Sequence, residues 1–296
     1  MDQASEFSLS NEEFQLFRTL VYEKSGVALK EEKLQLLRGR LMKRLRHHGY
    51  ATFIQYYEHL KQSDPSGAEL QEMINAVTTH KTSFFREPHH FNCLVEKVLE
   101  PARQRAAEGR RPSLRLWSAG CSTGEEAYSI AITIVMNLER LATWDVKILA
   151  TDIDTAVVEK GRAGIYPRES VSEIPDNVLK ECFLSGRGKQ ADAVGLKPAV
   201  KNLVTFARLN LMEEPWPFRG HFDAIFCRNV LIYFDRNSQR HVVERFAKQL
   251  KPEGLFFAGH SENLFWLGNI LQPIGQTVYQ LAPAEADDAT SAAQPQ

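Results

Sequence analysis

Two acidic segments about thirty residues apart give the first chemical signal in this sequence. Glu125 and Glu126 follow a run of small residues (SAGCSTG, 118–124), and Asp152 ends an apolar run (VKILATD, 146–152). In a doubly wound sheet, an acid at the end of the second strand lies beside the first loop and can accept hydrogen bonds from both hydroxyls of a ribose. The two segments therefore predict a nucleoside site.

The small-residue segment differs from the loops that hold phosphates. Ser122 stands where a dinucleotide-binding loop has a glycine, and two acids at the helix start would repel a phosphate. A nucleoside without phosphates fits better. S-adenosylmethionine (SAM) is the common one, and its sulfonium and ammonium groups suit Glu126. Two plainer interpretations stay open: Glu125 and Glu126 serve only the helix dipole, and Asp154 is a helix cap.

Polar residues also follow another apolar strand, within positions 222–234 (FDAIFCRNVLIYF). Arg228 and Asn229 stand at the carboxyl end of this strand, which is the end that faces the ligand crevice in such a sheet. Tyr233 follows one turn later, and taken alone it is better explained as a core aromatic residue. The segment is therefore a second candidate wall of the nucleoside site.

The segment 78–91 (TTHKTSFFREPHHF) is dense in hydrogen-bonding groups, although it lies at a domain junction. Pockets are common at such junctions, so this segment joins the predicted site. His80, His89 and His90 raise the question of a metal ion. Because no further Cys or His stands nearby at ligand spacing, we expect no metal site.

Together these segments resemble the bacterial chemotaxis receptor methyltransferase family, CheR. The resemblance runs from about residue 10 to residue 281 and rests on TTHKTSFFREPHHF (78–91), WSAGCSTGEEAYSIA (117–131), ATDID (150–154), FDAIFCRNVLIYF (222–234) and LKPEGLFFAGHSEN (250–263). It implies an α/β fold: a small all-helical N-terminal domain, then a Rossmann-like class I SAM-dependent methyltransferase domain with a small inserted β subdomain. The implied reaction is SAM-dependent O-methylation of glutamate side chains on chemoreceptors.

The resemblance also implies roles for single residues. The SAM contacts would be His80, Thr82, Arg86, Glu126, Asp152, Asn210, Leu211, Arg228 and Asn229. Arg86 and Tyr233 match the pair usually placed at the transfer site. The family usually has Asn where this chain has His80, and an imidazole can replace one hydrogen bond of an amide.

A basic helix is expected to dock the acidic helices of the receptor. The stretch from Lys33 to Arg46 contains six bases and no acid, and helical spacing places four of them largely opposite the leucines. These four are Arg40, Lys43, Arg44 and Arg46. A solvated charged face is the alternative. Some family members also bind a receptor C-terminal pentapeptide through the β subdomain, where GRGK (186–189) lies in a loop long enough for this role.

The elements that must position these residues change in character near residue 88. Before it, apolar residues at helical spacing predict four helices, the first starting at a capping pattern of Ser10 and Glu13 and ending at Gly26. After residue 112, strands alternate with helices, which predicts a parallel, doubly wound sheet. We expect a helical domain with its linker at 1–88, a methyltransferase domain at 89–281 with an inserted subdomain at 163–202, and a disordered tail at 282–296.

Within the second domain, six strands are expected, at 114–117, 146–150, 203–207, 222–227, 255–258 and 277–281. The helix after the first strand is expected to run from Glu125 to about Leu141.

Composition narrows the functional classes. With 36 Lys and Arg against 37 Asp and Glu, the net charge of -1 argues against a polycation built for nucleic acid. The longest apolar stretch (130–136) is far shorter than the ~20 residues that span a bilayer, and the N-terminus lacks the features of a signal peptide. Four separated cysteines without a CxxC pair argue against zinc and disulfides. We therefore expect a cytoplasmic protein.

Two other functions stay open. A SAM-binding scaffold or sensor without enzymatic activity is one, although Arg86 and Tyr233 are both present. A nucleic-acid methyltransferase with the same cofactor is the other. The sequence has neither an Asn/Asp-Pro-Pro-Tyr/Phe motif for amino-group transfer nor a Pro-Cys nucleophile loop. We therefore expect no nucleic acid among the partners.

Overall fold

The structure, a computed structural model, describes residues 8–110, 112–218 and 220–283. Four helices form the first domain: α1 (Asn11–Ser25), α2 (Leu34–His48), α3 (Phe53–Gln62) and α4 (Ala68–Val77). They share an apolar core in which the rings of Phe17 and Tyr56 stack at a centroid distance of 6.0 Å. All four predicted helices are confirmed, because apolar residues at helical spacing give each helix one buried face.

Local signals set both ends of α1. The Ser10 hydroxyl accepts a hydrogen bond from the Glu13 N–H, and the Glu13 carboxylate accepts one from the Ser10 N–H, as the capping pattern predicts. Gly26 ends the helix with a φ of +74°, in the left-handed region that favours glycine. A Cβ atom on Gly26 would lie 2.5 Å from Cγ of Met212 and 3.2 Å from Cε1 of Phe234, both in the second domain. The two domains therefore meet closely at this glycine.

A seven-stranded sheet forms the centre of the second domain. Its strands are β1 (Ser113–Ala119), β2 (Asp145–Asp152), β6 (Val204–Arg208), β7 (Phe222–Cys227), β8 (Leu250–Ala258), β9 (Leu271–Gly275) and β10 (Val278–Leu281). They lie in the order β6-β2-β1-β7-β8-β10-β9, parallel from β6 to β8 and antiparallel beyond. The predicted α/β sheet is confirmed. The sequence prediction misses β9, because four of its five residues are exposed and leave no apolar alternation.

Helices cover both faces of this sheet. Leu116 and Trp117 point to opposite faces of β1 and belong to separate apolar cores, so each face of the sheet has a core of its own. The helices are α5 (His89–Leu94), followed by a π-helical turn (Val95–Leu99), α6 (Glu100–Ala107), α7 (Glu125–Asn137), α8 (Thr155–Ala163) and α11 (Arg236–Gln249). The expected end of α7 near Leu141 is wrong. Leu138 leaves the helical conformation with a ψ of 114°, and residues 141–143 form a separate 3₁₀ turn.

The region between α8 and β6 forms a small subdomain. It contains β3 (Ile165–Pro167), α9 (Asp176–Cys182), β4 (Phe183–Ser185), β5 (Ala193–Leu196) and α10 (Pro198–Lys201). Its strands pair antiparallel in the order β3-β5-β4, in agreement with the β subdomain expected there. The ring of Phe84, in the linker, packs edge-on against Tyr166 and Phe183 of this subdomain.

Hydrogen bonds join the helical domain to the sheet domain at several points. Asn210 Nδ2 donates to the carbonyl oxygen of Lys24 at 2.7 Å, just before Gly26. The Tyr22 hydroxyl donates to Asp235 Oδ2 at 2.5 Å, at the start of α11. On the other side of the junction, α4 is hydrogen-bonded to the segment after β2. The Gln71 side chain donates to the carbonyl oxygen of Ile153, and the Asn75 side chain donates to the hydroxyl of Thr155. These contacts fix the two domains relative to each other.

Two expectations concern the chain as a whole. None of the helices in the described residues is long and apolar enough to cross a membrane. Residues 284–296, which make up most of the expected disordered tail, lie outside the described residues. The tail and the domain limits therefore stay predictions.

Candidate active site

A cavity of about 450 Å³ lies at the carboxyl ends of β1, β2 and β7. The sheet loops form one wall, residues 25–36 of the helical domain supply a second, and the end of α4 with the linker between the domains (77–86) supplies a third. All ten residues expected at the SAM and transfer sites line this cavity: His80, Thr82, Arg86, Glu126, Asp152, Asn210, Leu211, Arg228, Asn229 and Tyr233. Their individual roles stay predictions, but their shared location is observed.

Asp152 ends β2 at the floor of the cavity, where the sequence places its ribose-binding acid. The Ser122 N–H donates to Asp152 Oδ2 at 2.8 Å, and the Asp154 N–H donates to Oδ1 at 3.0 Å. A carboxylate oxygen accepts about two hydrogen bonds, so each oxygen keeps room for one ligand hydroxyl. Burial raises the pKa of Asp152, while these N–H donors oppose the rise. The small-residue loop and the acid are therefore physically coupled.

Glu126 holds a carboxylate at the cavity wall beside a buried arginine. Its Oε1 accepts a hydrogen bond from the Ser118 hydroxyl at 2.7 Å, and its Oε2 lies 3.1 Å from Arg228 Nη1. The Arg228 side chain is only 2% exposed, and its Nη2 lies 3.0 Å from Glu87 Oε2. Burial raises the pKa of Glu126, and the positive charge of Arg228 opposes that rise. Arg228 thus holds two acids, one of which faces the cavity.

The linker wall is held in place by His80 and Arg86. Nε2 of His80 lies 2.7 Å from Asp154 Oδ2 and 2.8 Å from the Thr78 hydroxyl. Arg86 Nη1 donates to the carbonyl oxygen of Lys81 at 3.0 Å, a contact within the linker itself. The interpretation of Asp154 as a helix cap is confirmed, because its Oδ1 accepts hydrogen bonds from the N–H groups of the first turn of α8.

Asn210 and Tyr233 meet the cavity in different ways. Asn210 donates from Nδ2 to Lys24, and its Oδ1 accepts a hydrogen bond from the Met212 N–H at 3.0 Å. Its side chain therefore connects domains as well as lining the cavity. Tyr233 is half-buried in the cavity wall, and its carbonyl oxygen accepts a hydrogen bond from the Ala28 N–H at 2.8 Å. Tyr233 is thus not fully buried in the core.

Sequence reasoning missed Glu262, which binds the loop after β7 but does not itself line the cavity. Glu262 is 4% exposed, and its carboxylate accepts hydrogen bonds from four backbone N–H groups. These belong to Asn229, Val230, Leu231 and Gly259, at distances of 2.6 to 2.8 Å. The sequence contained Glu262 in a motif of the resemblance but gave no sign of its partners, three of which lie about thirty residues earlier in the chain.

Among the described residues, one cluster has side chains that could together hold a metal ion. It consists of Glu87, His89 and His90, whose possible ligand atoms all lie within 4.8 Å of one another. Arg228 places a fixed positive charge 3.0 Å from Glu87 Oε2. Burial and the charge of Arg228 lower the pKa of His90 to about 3, so this location disfavours positive charge. The same surroundings would oppose a metal cation, and the expectation of no metal stands as a prediction.

The basic helix α2 differs from its expected form. Arg40 Nη1 donates to the carbonyl oxygens of Val77 and Thr78 at 2.6 and 2.5 Å, and Arg44 Nε donates to the buried Glu69 at 2.9 Å. The expectation that all four bases lie on the outer side is therefore wrong for Arg40 and Arg44, which are half-buried because they bind groups on α4. Lys43 and Arg46 are exposed.

Comparison with known proteins gives the family. The model for the CheR methyltransferase, all-alpha domain, matches residues 12–78, and that for the CheR methyltransferase, SAM binding domain, matches residues 80–280. The chain is 44% identical over 279 residues to chemotaxis protein methyltransferase 2 of Pseudomonas aeruginosa, covering 94% of this chain and 95% of that one. It is 41% identical over 283 residues to the chemotaxis protein methyltransferase of Escherichia coli, covering 95% of each.

Solved structures add a weaker likeness. PKMT2 from Rickettsia typhi in complex with AdoHcy is 17% identical, with 49% of this chain and 20% of that chain covered at a TM-score of 0.30. The two family matches, by contrast, span both domains and reach the linker between them. The chain belongs to the CheR methyltransferase family, and SAM is its cofactor.

Proposed function

We propose that this protein transfers the methyl group of SAM to glutamate side chains on the cytoplasmic helices of bacterial chemoreceptors. The observation that carries the proposal is the cavity, which is lined by the candidate ribose-binding acid (Asp152), a second acid (Glu126) and two candidate substrate-orienting groups (Arg86 and Tyr233). The names of the Pseudomonas and Escherichia relatives support the link to chemotaxis. The protein acts in the cytoplasm, where these receptor segments lie.

The chemistry asks for alignment rather than for acid–base catalysis. A glutamate side chain has a pKa of about 4.3 in water, so it is already a carboxylate at pH 7 and needs no general base. SAM supplies an electrophilic methyl group on a sulfonium. The new oxygen–carbon bond forms as the carbon–sulfur bond breaks, and the electron pair of that bond stays on sulfur, which leaves S-adenosylhomocysteine.

The residues of this chain serve that displacement by holding its parts in line, which can lower the barrier by several kcal/mol. The planar guanidinium of Arg86 is suited to fix the substrate carboxylate. Tyr233, on the wall formed by the sheet loops, orients the substrate or the methionine part of SAM by a hydrogen bond from its hydroxyl. Asp152 binds the ribose, and Glu126 lies where it can attract the positive groups of SAM.

Receptor docking would involve the exposed part of α2. Lys43 and Arg46 are exposed there, while Lys33 and Lys30 line the cavity near the start of the same helix. Opposite charges steer an acidic helix toward such a surface and raise the rate of association. We propose that Lys43 and Arg46 carry the docking contact, whereas Arg40 and Arg44 mainly hold α2 against α4.

The inserted subdomain offers a second place to hold the receptor. β4 lies at the edge of the three-stranded sheet, and its Leu184 is 52% exposed. An extended peptide can add to such an edge as a further strand through backbone hydrogen bonds. We propose that the C-terminal pentapeptide of a receptor binds at this edge, next to the loop at 186–189.

The test is a transfer assay with SAM that carries a radiolabelled methyl group. We expect the label to enter a purified receptor cytoplasmic fragment and to be released by mild base, as a methyl ester is. Label in nucleic acid would point instead to a nucleic-acid methyltransferase. Binding of S-adenosylhomocysteine without label in any substrate would point to a scaffold or sensor. Either result would overturn the proposal.

A further inference from the structure

The loop that follows β7 is built around one carboxylate. The N–H groups of Asn229, Val230 and Leu231 are consecutive, and all three donate to Glu262, at 2.8, 2.7 and 2.7 Å. The Gly259 N–H donates to the same carboxylate at 2.6 Å. Consecutive N–H groups that converge in this way form an anion-binding concavity. In this chain its own glutamate fills it.

The arrangement fixes a backbone that would not otherwise hold this shape. Asn229 has a φ of +60°, a left-handed conformation that costs free energy for a residue with a side chain. Closely packed glycines leave room for the loop on two sides. A Cβ on Gly120 would collide with Val230, and a Cβ on Gly259 would lie 2.5 Å from Asn229 Nδ2. The charge-assisted hydrogen bonds to Glu262 offset the cost of this conformation.

The loop leads directly into the cavity. Asn229, Val230, Ile232 and Tyr233 all line it, whereas Glu262 does not. We propose that Glu262 is a positioning residue for the cofactor: by accepting the four N–H groups, it holds Asn229 and the segment up to Tyr233 in the shape that binds SAM. The inference rests on the proposed function in one respect, namely that Asn229 and its neighbours contact the cofactor.

Asp223 provides a matched control at the other end of the same strand. It is also 4% exposed, and its carboxylate accepts hydrogen bonds from the Arg115 N–H at 2.8 Å and from Lys251 Nζ at 2.7 Å. It lies near the start of β7, away from the cavity. Each of the two variants Glu262→Ala and Asp223→Ala therefore removes a buried, hydrogen-bonded carboxylate. Only the carboxylate of Glu262 binds the loop after β7.

The experiment is calorimetric titration of S-adenosylhomocysteine into the full chain, with and without sodium acetate. Glu262→Ala is expected to weaken binding at least about tenfold, because one charge-assisted hydrogen bond is worth about that factor. Acetate fits the vacated space and is expected to restore binding, whereas acetamide, which has a similar shape but no charge, is not. Asp223→Ala is expected to bind S-adenosylhomocysteine with the affinity of the wild type, and acetate is expected not to change that affinity.

Amide hydrogen exchange tests the loop without any ligand. The amides of residues 229–231 and 259 are expected to exchange at least about tenfold faster in Glu262→Ala than in the wild type. Wild-type affinity in Glu262→Ala, or a loss that acetate does not restore, would overturn the inference. If Glu262→Ala does not fold, Glu262→Gln is used instead, because it keeps the volume of the side chain. Wild-type affinity in Glu262→Gln would also overturn the inference. Failure of the wild type itself to bind S-adenosylhomocysteine would contradict the proposed function instead, and the exchange measurement would still decide the role of Glu262.

Discussion

Nε2 of His80 lies 2.7 Å from Oδ2 of Asp154, the residue that caps α8. This contact ties the linker wall of the cavity to the helix that follows β2. Asp152, two residues before Asp154, forms the floor of the same cavity. The linker and the expected ribose site are thus joined through one carboxylate.

His80→Asn is expected to keep the affinity for S-adenosylhomocysteine within about threefold of the wild type, because an amide can still donate one hydrogen bond to Asp154. His80→Ala removes that donor and is expected to weaken binding about tenfold. Calorimetric titration of both variants measures the difference. Equal affinities for the Asn and Ala variants would show that the hydrogen bond does not matter for the cofactor.

Asp154 is expected to make stability depend on pH in the acid range. Burial raises its pKa, but the hydrogen bonds from His80 and from the first turn of α8 outweigh burial and leave the pKa below its usual value. A carboxyl group with a lowered pKa in the folded state stabilises the fold above about pH 4, its unfolded pKa, and loses this contribution as the pH falls through the folded pKa.

Asp154→Asn therefore flattens the acid limb of the stability curve. Urea unfolding between pH 3 and 7 is expected to show a smaller fall in the free energy of unfolding for the variant than for the wild type. At pH 7 the variant is expected to be about 1 kcal/mol less stable, since it lacks the negative charge at the start of α8. Parallel curves for the two proteins would contradict the lowered pKa.

Removal of Arg228 is expected to destabilise the sheet domain strongly. Arg228→Met leaves Glu126 and Glu87 buried without their shared partner, a change that costs about 3–5 kcal/mol in comparable buried pairs. The double variant Arg228→Met/Glu126→Gln removes one of the two stranded charges and is expected to recover part of the loss. Thermal unfolding of both variants tests this, and additive losses would exclude the coupling.

Arg86→Ala is expected to abolish methyl transfer, because the substrate carboxylate loses its planar partner. Binding of S-adenosylhomocysteine is measured in parallel, so that a loss of transfer is not mistaken for a loss of cofactor. Arg86→Lys keeps the charge but not the fork of donors and is expected to retain only a small part of the rate. Near-normal turnover by the Ala variant would remove Arg86 from the transfer site.

The two kinds of base on α2 are expected to respond differently to charge reversal. Lys43→Glu with Arg46→Glu is expected to raise the KM for the receptor, more so at low salt. Arg40→Glu is expected to lower the unfolding temperature, because Arg40 binds the end of α4 through the carbonyl oxygens of Val77 and Thr78. An unchanged KM in the double variant would show that Lys43 and Arg46 do not carry the docking contact.

Much of the fold was predictable from local patterns. Capping at Ser10 marks the start of α1, and the left-handed glycine at position 26 marks its end. Each of these signals involves only residues a few positions apart. The parallel strands were also found, and the central strand β7 is buried at all six positions. The edge strand β9 was missed because its exposed residues carry no such pattern.

The site was predictable as a set of residues but not as a set of contacts. The spacing of Asp152 from the small-residue loop indicates a nucleoside because strand order in this fold constrains both segments. Nothing local predicts that Arg228 would bind Glu87, about 140 residues earlier, or that Arg44 would pair with a buried Glu69. Such pairs depend on tertiary packing, which periodicity along the chain does not report.

The close meeting of the domains at Gly26 has a consequence for how relatives of this protein can diverge. Because Met212 and Phe234 occupy the space of a side chain at position 26, a helical domain taken from another member would dock here only if it also brought a glycine. An exchange of the helical domain between members would therefore have to keep glycine at this position or change Met212 and Phe234 as well.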